Sequence, residues 1–180
     1  MVKMKKLVFG LVFSVILGAG LIAPVVAEGE ESEPVITDAQ RSVIVNHCDS
    51  IKDALKSLQK TDSRTRVYLG RYYETILSNF MMPLNIRLVE NSISNTGLIE
   101  NQTNFAARRD RFNSDFITYQ QSLEEVLNVN CKTEPENFYE KLTVAREKRA
   151  TVNRDATKIR GFIDEQVKLV QTLKTELEKV

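Results

Sequence analysis

From Ile44 to Ile76 apolar or small residues recur as Ile44, Cys48, Ile51, Leu55, Leu58, Leu69, Tyr72 and Ile76. Counting Asp62 and Thr65 at the two intervening positions, the spacing alternates between four and three throughout. Such a repeat keeps one apolar seam on one side of a long helix. Two further stretches carry it. From about residue 100 to 128 the inward positions are Phe105, Arg109, Phe112, Phe116, Tyr119, Leu123 and Val126. From Pro135 onward they are Phe138, Leu142, Ala145, Arg149, Val152, Ala156, Ile159, Ile163, Gln166, Val170, Leu173 and Leu177. No alternating runs bounded by Asn-Gly or Asp-Gly turns signal a sheet. The pattern predicts an all-α protein, an elongated antiparallel three-helix bundle with coiled-coil-like heptads.

Punctuation sets the boundaries. Thr37-Asp38-Ala39-Gln40 has the form of a capping box and starts the first helix. The polar stretch Gln59–Thr65 reads either as a turn or as helix, and the unchanged heptad phase on both sides favours helix. Pro83 cannot donate a backbone hydrogen bond and is read as a stop, with a short segment at 83–90 folded across the end. Asn91–Gly97 is a loop by composition, and Pro135 suits the first turn of the last helix. The expected helices are therefore about 37–81, 83–90, 100–128 and 135–179.

The first 36 residues stand apart. Lys3, Lys5 and Lys6 precede an apolar run from Leu7 to Ile22, and Val25-Val26-Ala27 ends in small residues suited to a signal peptidase. Residues 1–27 read as a signal peptide cleaved after Ala27, or else as an uncleaved anchor, since the uncharged run can cross a bilayer. Residues 28–36 begin with the acidic, polar EGEESEP and read as a disordered spacer. The protein is thus expected to be extracytoplasmic, secreted or at the cell surface. It meets a membrane only through residues 1–27, if these are retained. Beyond Ala27 remain 22 basic and 24 acidic residues, net −2, with no global attraction to nucleic acid or an anionic surface.

Cys48 and Cys131 are the only cysteines, and in an exported chain they are expected to pair rather than stay as buried thiols. Facing residues of an antiparallel helix pair have a constant index sum, here 179. That sum fits a first helix unbroken from Thr37 to about Met81. The last helix would then run parallel to the first with an offset of about 91, which sets Gly161 beside Gly70 in a close approach.

No catalytic constellation is evident. His47 precedes Cys48, but neighbours on a helix point about 100° apart, and a disulfide removes the thiolate. No HExxH, CxxC or Glu-x-x-His suggests a metal, and no glycine-rich loop suggests a phosphate. Neither cofactor nor enzymatic activity is expected. The candidate contact face is Arg64, Arg66, Tyr68, Arg71 and Tyr73 with Arg108 and Arg111, weighed against a solvated arginine face because Asp62, Glu74 and Asp110 interleave. Of Tyr68, Tyr72 and Tyr73, on successive helix faces, at least one should be exposed. Asp62, Thr65, Arg109 and Arg149 fall on inward positions and suit a buried polar layer that fixes register. Asn101-Gln102-Thr103 matches a glycosylation sequon, relevant only in a eukaryotic secretory host.

The run Arg66-Val67-Tyr68-Leu69-Gly70-Arg71-Tyr72-Tyr73-Glu74-Thr75-Ile76-Leu77, with Pro83-Leu84-Asn85-Ile86-Arg87-Leu88 after it, resembles uncharacterised exported helical proteins of candidate-phylum (Saccharibacteria-type) bacteria. The likeness covers about residues 47–150; it implies export by a small bacterium and carries no activity. The general shape is also similar to Skp-type periplasmic chaperones. The chain departs from them in its near-neutral charge, its cysteine pair and its lack of the short strands that trimerise that family. The expected role is a non-catalytic structural or partner-binding module at the cell envelope, its partner a protein or envelope polymer. A holdase-like chaperone and a membrane-anchored coiled-coil adaptor are the rivals.

Overall fold

A computed structural model describes residues 36–93 and 95–179. Residues 1–27, expected to be a signal peptide or anchor, and most of 28–36, expected to be a spacer, lie outside the described residues. The fold is all-α, with no strand among the described residues: α1 (Asp38–Asn46), α2 (Cys48–Ile76), a π-helical turn (Leu77–Met81), α3 (Met82–Glu90), α4 (Thr96–Asn128) and α5 (Pro135–Leu177). At 1.5 Å rise per residue, the 43 residues of α5 span about 65 Å.

The capping box forms as its residues require. Thr37 Oγ1 accepts the Gln40 N–H at 3.2 Å, and Gln40 Oε1 accepts the Thr37 N–H at 2.8 Å. The helix it opens is not continuous. His47, at φ −112° and ψ 17°, separates α1 from α2, and the bonds from His47 N–H to Val43 O and from Ile51 N–H to His47 O carry the ladder across. The polar stretch 59–65 is helical throughout.

Pro83 does not end this column. It sits in the first turn of α3, directly after the π-helical turn in which the Met82 N–H reaches Leu77 O. A proline lacks an N–H and its ring crowds the carbonyl four residues back; the wider turn accommodates both. Asn85 then donates to Leu98 O and to Gln102 Oε1 on α4. So α3 prolongs α2 along α4 and is not folded across its end. Ser92, at φ 59°, closes α3 in the left-handed position, with the Ile93 N–H on Leu88 O. Asn95 Oδ1 accepts the Leu98 N–H, which starts α4 four residues before the expected position 100.

Register follows from pairs across the interfaces. Between the α2–α3 column and α4 they are Cys48–Cys131, Asp62–Tyr119, Arg66–Asn113, Glu74–Arg109 and Asn85–Gln102, with index sums of 179 to 187. These elements run antiparallel. Asn101–Gln166, Arg108–Asp155 and Glu125–Lys141, with sums of 263 to 267, set α5 antiparallel to α4. Arg41–Glu136, Gln40–Tyr139 and Asp62–Arg149, offset by 87 to 99, set α5 parallel to α1 and α2.

The helices pack unequally. α4 lies closest to α5, α2 leans on α4, and α2 meets α5 chiefly through side chains. Phe105, Phe112, Phe116, Tyr119 and Leu123 of α4 form the central core with Tyr73, Leu77, Met81, Val152 and Ile159. A second cluster surrounds the disulfide with Ile44, Val126, Val129, Phe138 and Ala145. The expected approach of Gly70 to Gly161 does not occur: a Cβ on either would meet nothing within 4 Å. The tight glycine is Gly97, where a Cβ would stand 3.3 Å from Leu169 Cδ2.

Candidate functional site

The side chains expected to make one contact face separate. Arg64, Tyr68, Arg71 and Arg111 are exposed. Tyr73 is a core residue, 4 % exposed, with its ring edge-on to Phe105 and Phe112. That is a correction with a simple cause. Tyr72 and Tyr73 are adjacent, and the straight helix turns the second one inward, since it drifts about 20° per heptad against a seven-residue repeat. Burial pushes the Tyr73 phenol above its usual range. Arg108 binds buried Asp155 at 2.9 Å. Arg66 is half-buried, reaching Asn113 with its guanidinium 5.8 Å over the Phe116 ring, and its Nε is buried without an acceptor.

The expected polar layer forms only in part. Arg149 grips Asp62 with two bonds, Nε to Oδ2 at 2.7 Å and Nη2 to Oδ1 at 3.0 Å, while the Tyr119 hydroxyl donates to Oδ2 at 2.8 Å. The Asp62 bond holds Arg149 above the ordinary guanidinium value. Tyr119 is raised by burial first and by Asp62 second. Thr65 instead bonds its own backbone at Thr61 O, and Arg109 pairs with Glu74 and Asp110. Asn101, the sequon residue, is 6 % exposed and donates to Phe162 O and Gln166 Oε1, so it packs the seam between α4 and α5.

The disulfide is formed, with Cα atoms 5.6 Å apart. Lys132 binds Asp49 beside it at 2.6 Å and lowers that carboxyl. Cys48 therefore offers no thiolate, and His47 is exposed. Among the described residues no three His, Cys, Asp or Glu side chains cluster as a metal would require, and no helix is long and apolar enough to cross a membrane.

The feature that stands out was not anticipated: a groove between α1–α2 and α5, floored by α4 in its upper part. The heptads explain it. Each seam consists of two columns seven residues apart. In α2 the column Cys48, Leu55, Asp62, Leu69 and Ile76 is wholly or partly buried. The other column, Ile44, Ile51, Leu58, Thr65 and Tyr72, is buried at its start, half-buried in the middle and exposed at its end. In α5 the column Phe138, Ala145, Val152, Ile159, Gln166 and Leu173 is buried except at half-buried Gln166, whereas Leu142, Arg149, Ala156 and Ile163 are half-buried and Val170 and Leu177 exposed. The upper part of the groove draws on both columns, Asp62, Leu69 and Val152 with Thr65, Arg149 and Ala156, and the two α2 columns part in exposure only from Thr65 onward.

Two hollows lie along it. The lower, about 380 Å³, is lined by Val43, Ile44 and Ile51 on one wall and by Phe138, Tyr139, Leu142 and Arg146 on the other. The upper, about 60 Å³, narrows between Thr65 and Asn153 onto Phe112, Phe116 and the Asp62–Arg149–Tyr119 cluster. Elsewhere, Met82, Ile86 and Val89 make an exposed apolar stripe on α3 (42 %, 54 % and 66 %) beside Ile99 of α4. Compared with protein-family models, with curated proteins and with solved structures, the chain matches none.

Proposed function

We propose that this chain is a non-catalytic, extracytoplasmic partner-binding module at the cell envelope, built as an elongated antiparallel three-helix bundle with coiled-coil-like seams. One observation carries the reading: a groove of seven-residue columns is left open along one side of a disulfide-closed helical fold. A column of half-buried apolar side chains is surface that association covers. The contact face thus moves from the arginine-rich side to the groove, where Tyr72, Tyr139, Arg146 and Arg149, none of them in the face expected from the sequence, take its place. The disulfide favours an oxidising compartment. The test places a photocrosslinking residue at Thr65 or Asn153, on the groove, and at Arg154 or Lys158, on the far side of α5, in intact envelopes of the host. Crosslinks confined to the groove positions are expected. Equal yield from both sides, or none from either, overturns the reading.

The exposed stripe Met82, Ile86 and Val89 favours a second reading, a holdase-like chaperone that shields unfolded clients. Stoichiometric suppression of client aggregation, abolished in a Met82→Lys/Ile86→Lys variant, supports it. Inertness in that assay rules it out.

A further inference from the structure

The groove itself specifies its occupant, an inference that rests on the partner-binding reading above. Its walls are helices, so no sheet edge offers backbone groups to an incoming chain. An extended peptide would lay unpaired N–H and C=O groups on apolar side chains; a helix satisfies its own. The partly exposed columns of α2 and α5 both repeat every seven residues, the period at which a further helix interdigitates. α2 and α5 run parallel to each other and antiparallel to α4. A helix laid between them would oppose α4 across the groove and complete a four-helix arrangement.

Charge selects among helices. On the α2 wall, Ile51, Ala54, Leu58, Thr61, Thr65, Tyr68 and Tyr72 are all uncharged. On the α5 wall, at the matching helical phase, stand Arg146, Arg149 and Arg160, followed one turn later by Asp164. Arg149 is committed to Asp62. Arg146 and Arg160 are exposed and, among the described residues, have no acidic partner within 4 Å. They are 14 residues apart, two heptads, and so lie on one flank about 21 Å from each other. We propose that the groove binds an amphipathic helix of another protein, whose apolar stripe seats on the Ile51–Tyr72 and Leu142–Ile163 columns and whose carboxylates, recurring every seven residues, meet Arg146 and Arg160.

The probe is a synthetic 21-residue helix with leucine at both seam positions and glutamate on both flanks; its control replaces every glutamate with lysine. Both are labelled and titrated with the protein recovered from its host, at about 0.15 M salt. The acidic peptide should bind about tenfold or more tightly than the basic one, and the Arg146→Glu/Arg160→Glu variant should reverse that order. Both arginines are exposed, so the variant should keep its helical circular dichroism and disulfide. Binding of neither peptide, equal binding of both, or an unaltered preference in the variant overturns the proposal. So does a concentration-dependent dimer that occludes the site, because the occupant is then a second copy. If the peptides fail while groove crosslinks persist in envelopes, the acidic helix is wrong and the partner reading stands; if both fail, both fall.

Discussion

The seam between α4 and α5 and the groove between α2 and α5 are built from the same seven-residue pattern and come out differently. In the seam Phe105, Phe112, Val152 and Ile159 are nearly free of solvent, and polar groups pair across it: Asn101 with Gln166 and Phe162, Arg108 with one oxygen of Asp155. Across the groove the Asp62–Arg149 pair spans the middle, and Arg41–Glu136 and Gln40–Tyr139 span the lower end. A repeat of apolar positions states which face of a helix seeks cover; it does not state whether that cover is in the same chain.

The seam also contains a group that disfavours its own charge. Asp115 of α4 is raised above the usual carboxylate range, by burial first and then by the neighbouring Asp155 carboxyl across the interface. Asp155 itself is 3 % exposed, with Oδ2 unpartnered while Oδ1 holds Arg108.

Three measurements sharpen the contrast. The largest effect belongs to the bridge that holds the α1–α2 column to the connection between α4 and α5. Cys48→Ser/Cys131→Ser releases a loop with a sequence separation of 83, and the chain-entropy model puts the loss at about 4–5 kcal/mol. Denaturant titration should show it, and the column beside the groove should lose amide protection before α4 and α5 do. Uniform loss of protection would mean that the two regions are not separate in stability. Next is Arg108→Ala, which strands Asp155 in the tight seam and should cost about 3 kcal/mol by the same titration. A cost below about 1 kcal/mol, the level of a surface ion pair, would show that the seam admits water. The smallest is Gly161→Ala. Its Cβ meets nothing, so the gain in helix propensity should raise stability by about 1 kcal/mol. Destabilisation would mean that position 161 is packed against a neighbour and not open to solvent.

How much of this was readable beforehand varies with burial. In α4 every apolar position picked from the heptad is buried, from Phe105 to Val126, because α4 has neighbours on both sides and both of its columns are used. The cysteine pair and its antiparallel register were legible for a different reason: two cysteines in such a chain have one partner each. Tyr73 was misplaced outward because it adjoins Tyr72, and one residue of phase cannot be resolved between two identical side chains. Pro83 misled because its local rule, a missing donor, has a local remedy in the π-helical turn, and nothing in Leu77–Met81 announces that turn. The groove was hidden because its residues form an ordinary apolar column. Thr65 and Tyr72 are exposed where Leu55 and Leu69 are half-buried, and nothing in the spacing distinguishes them.

The disulfide has a mechanical consequence. It closes Cys48 to Cys131 into a covalent ring that contains α2, α3 and α4, and leaves α1 and α5 as the two arms outside it. Tension applied between the two ends of the chain crosses from Cys48 directly to Cys131 and bypasses the ring. The enclosed stretch, about 300 Å of extended chain, cannot be pulled out while the bond is intact. A load on this protein peels α5, one wall of the groove, and α1, the lower end of the other, and leaves α2 and the rest of the segment between the cysteines slack.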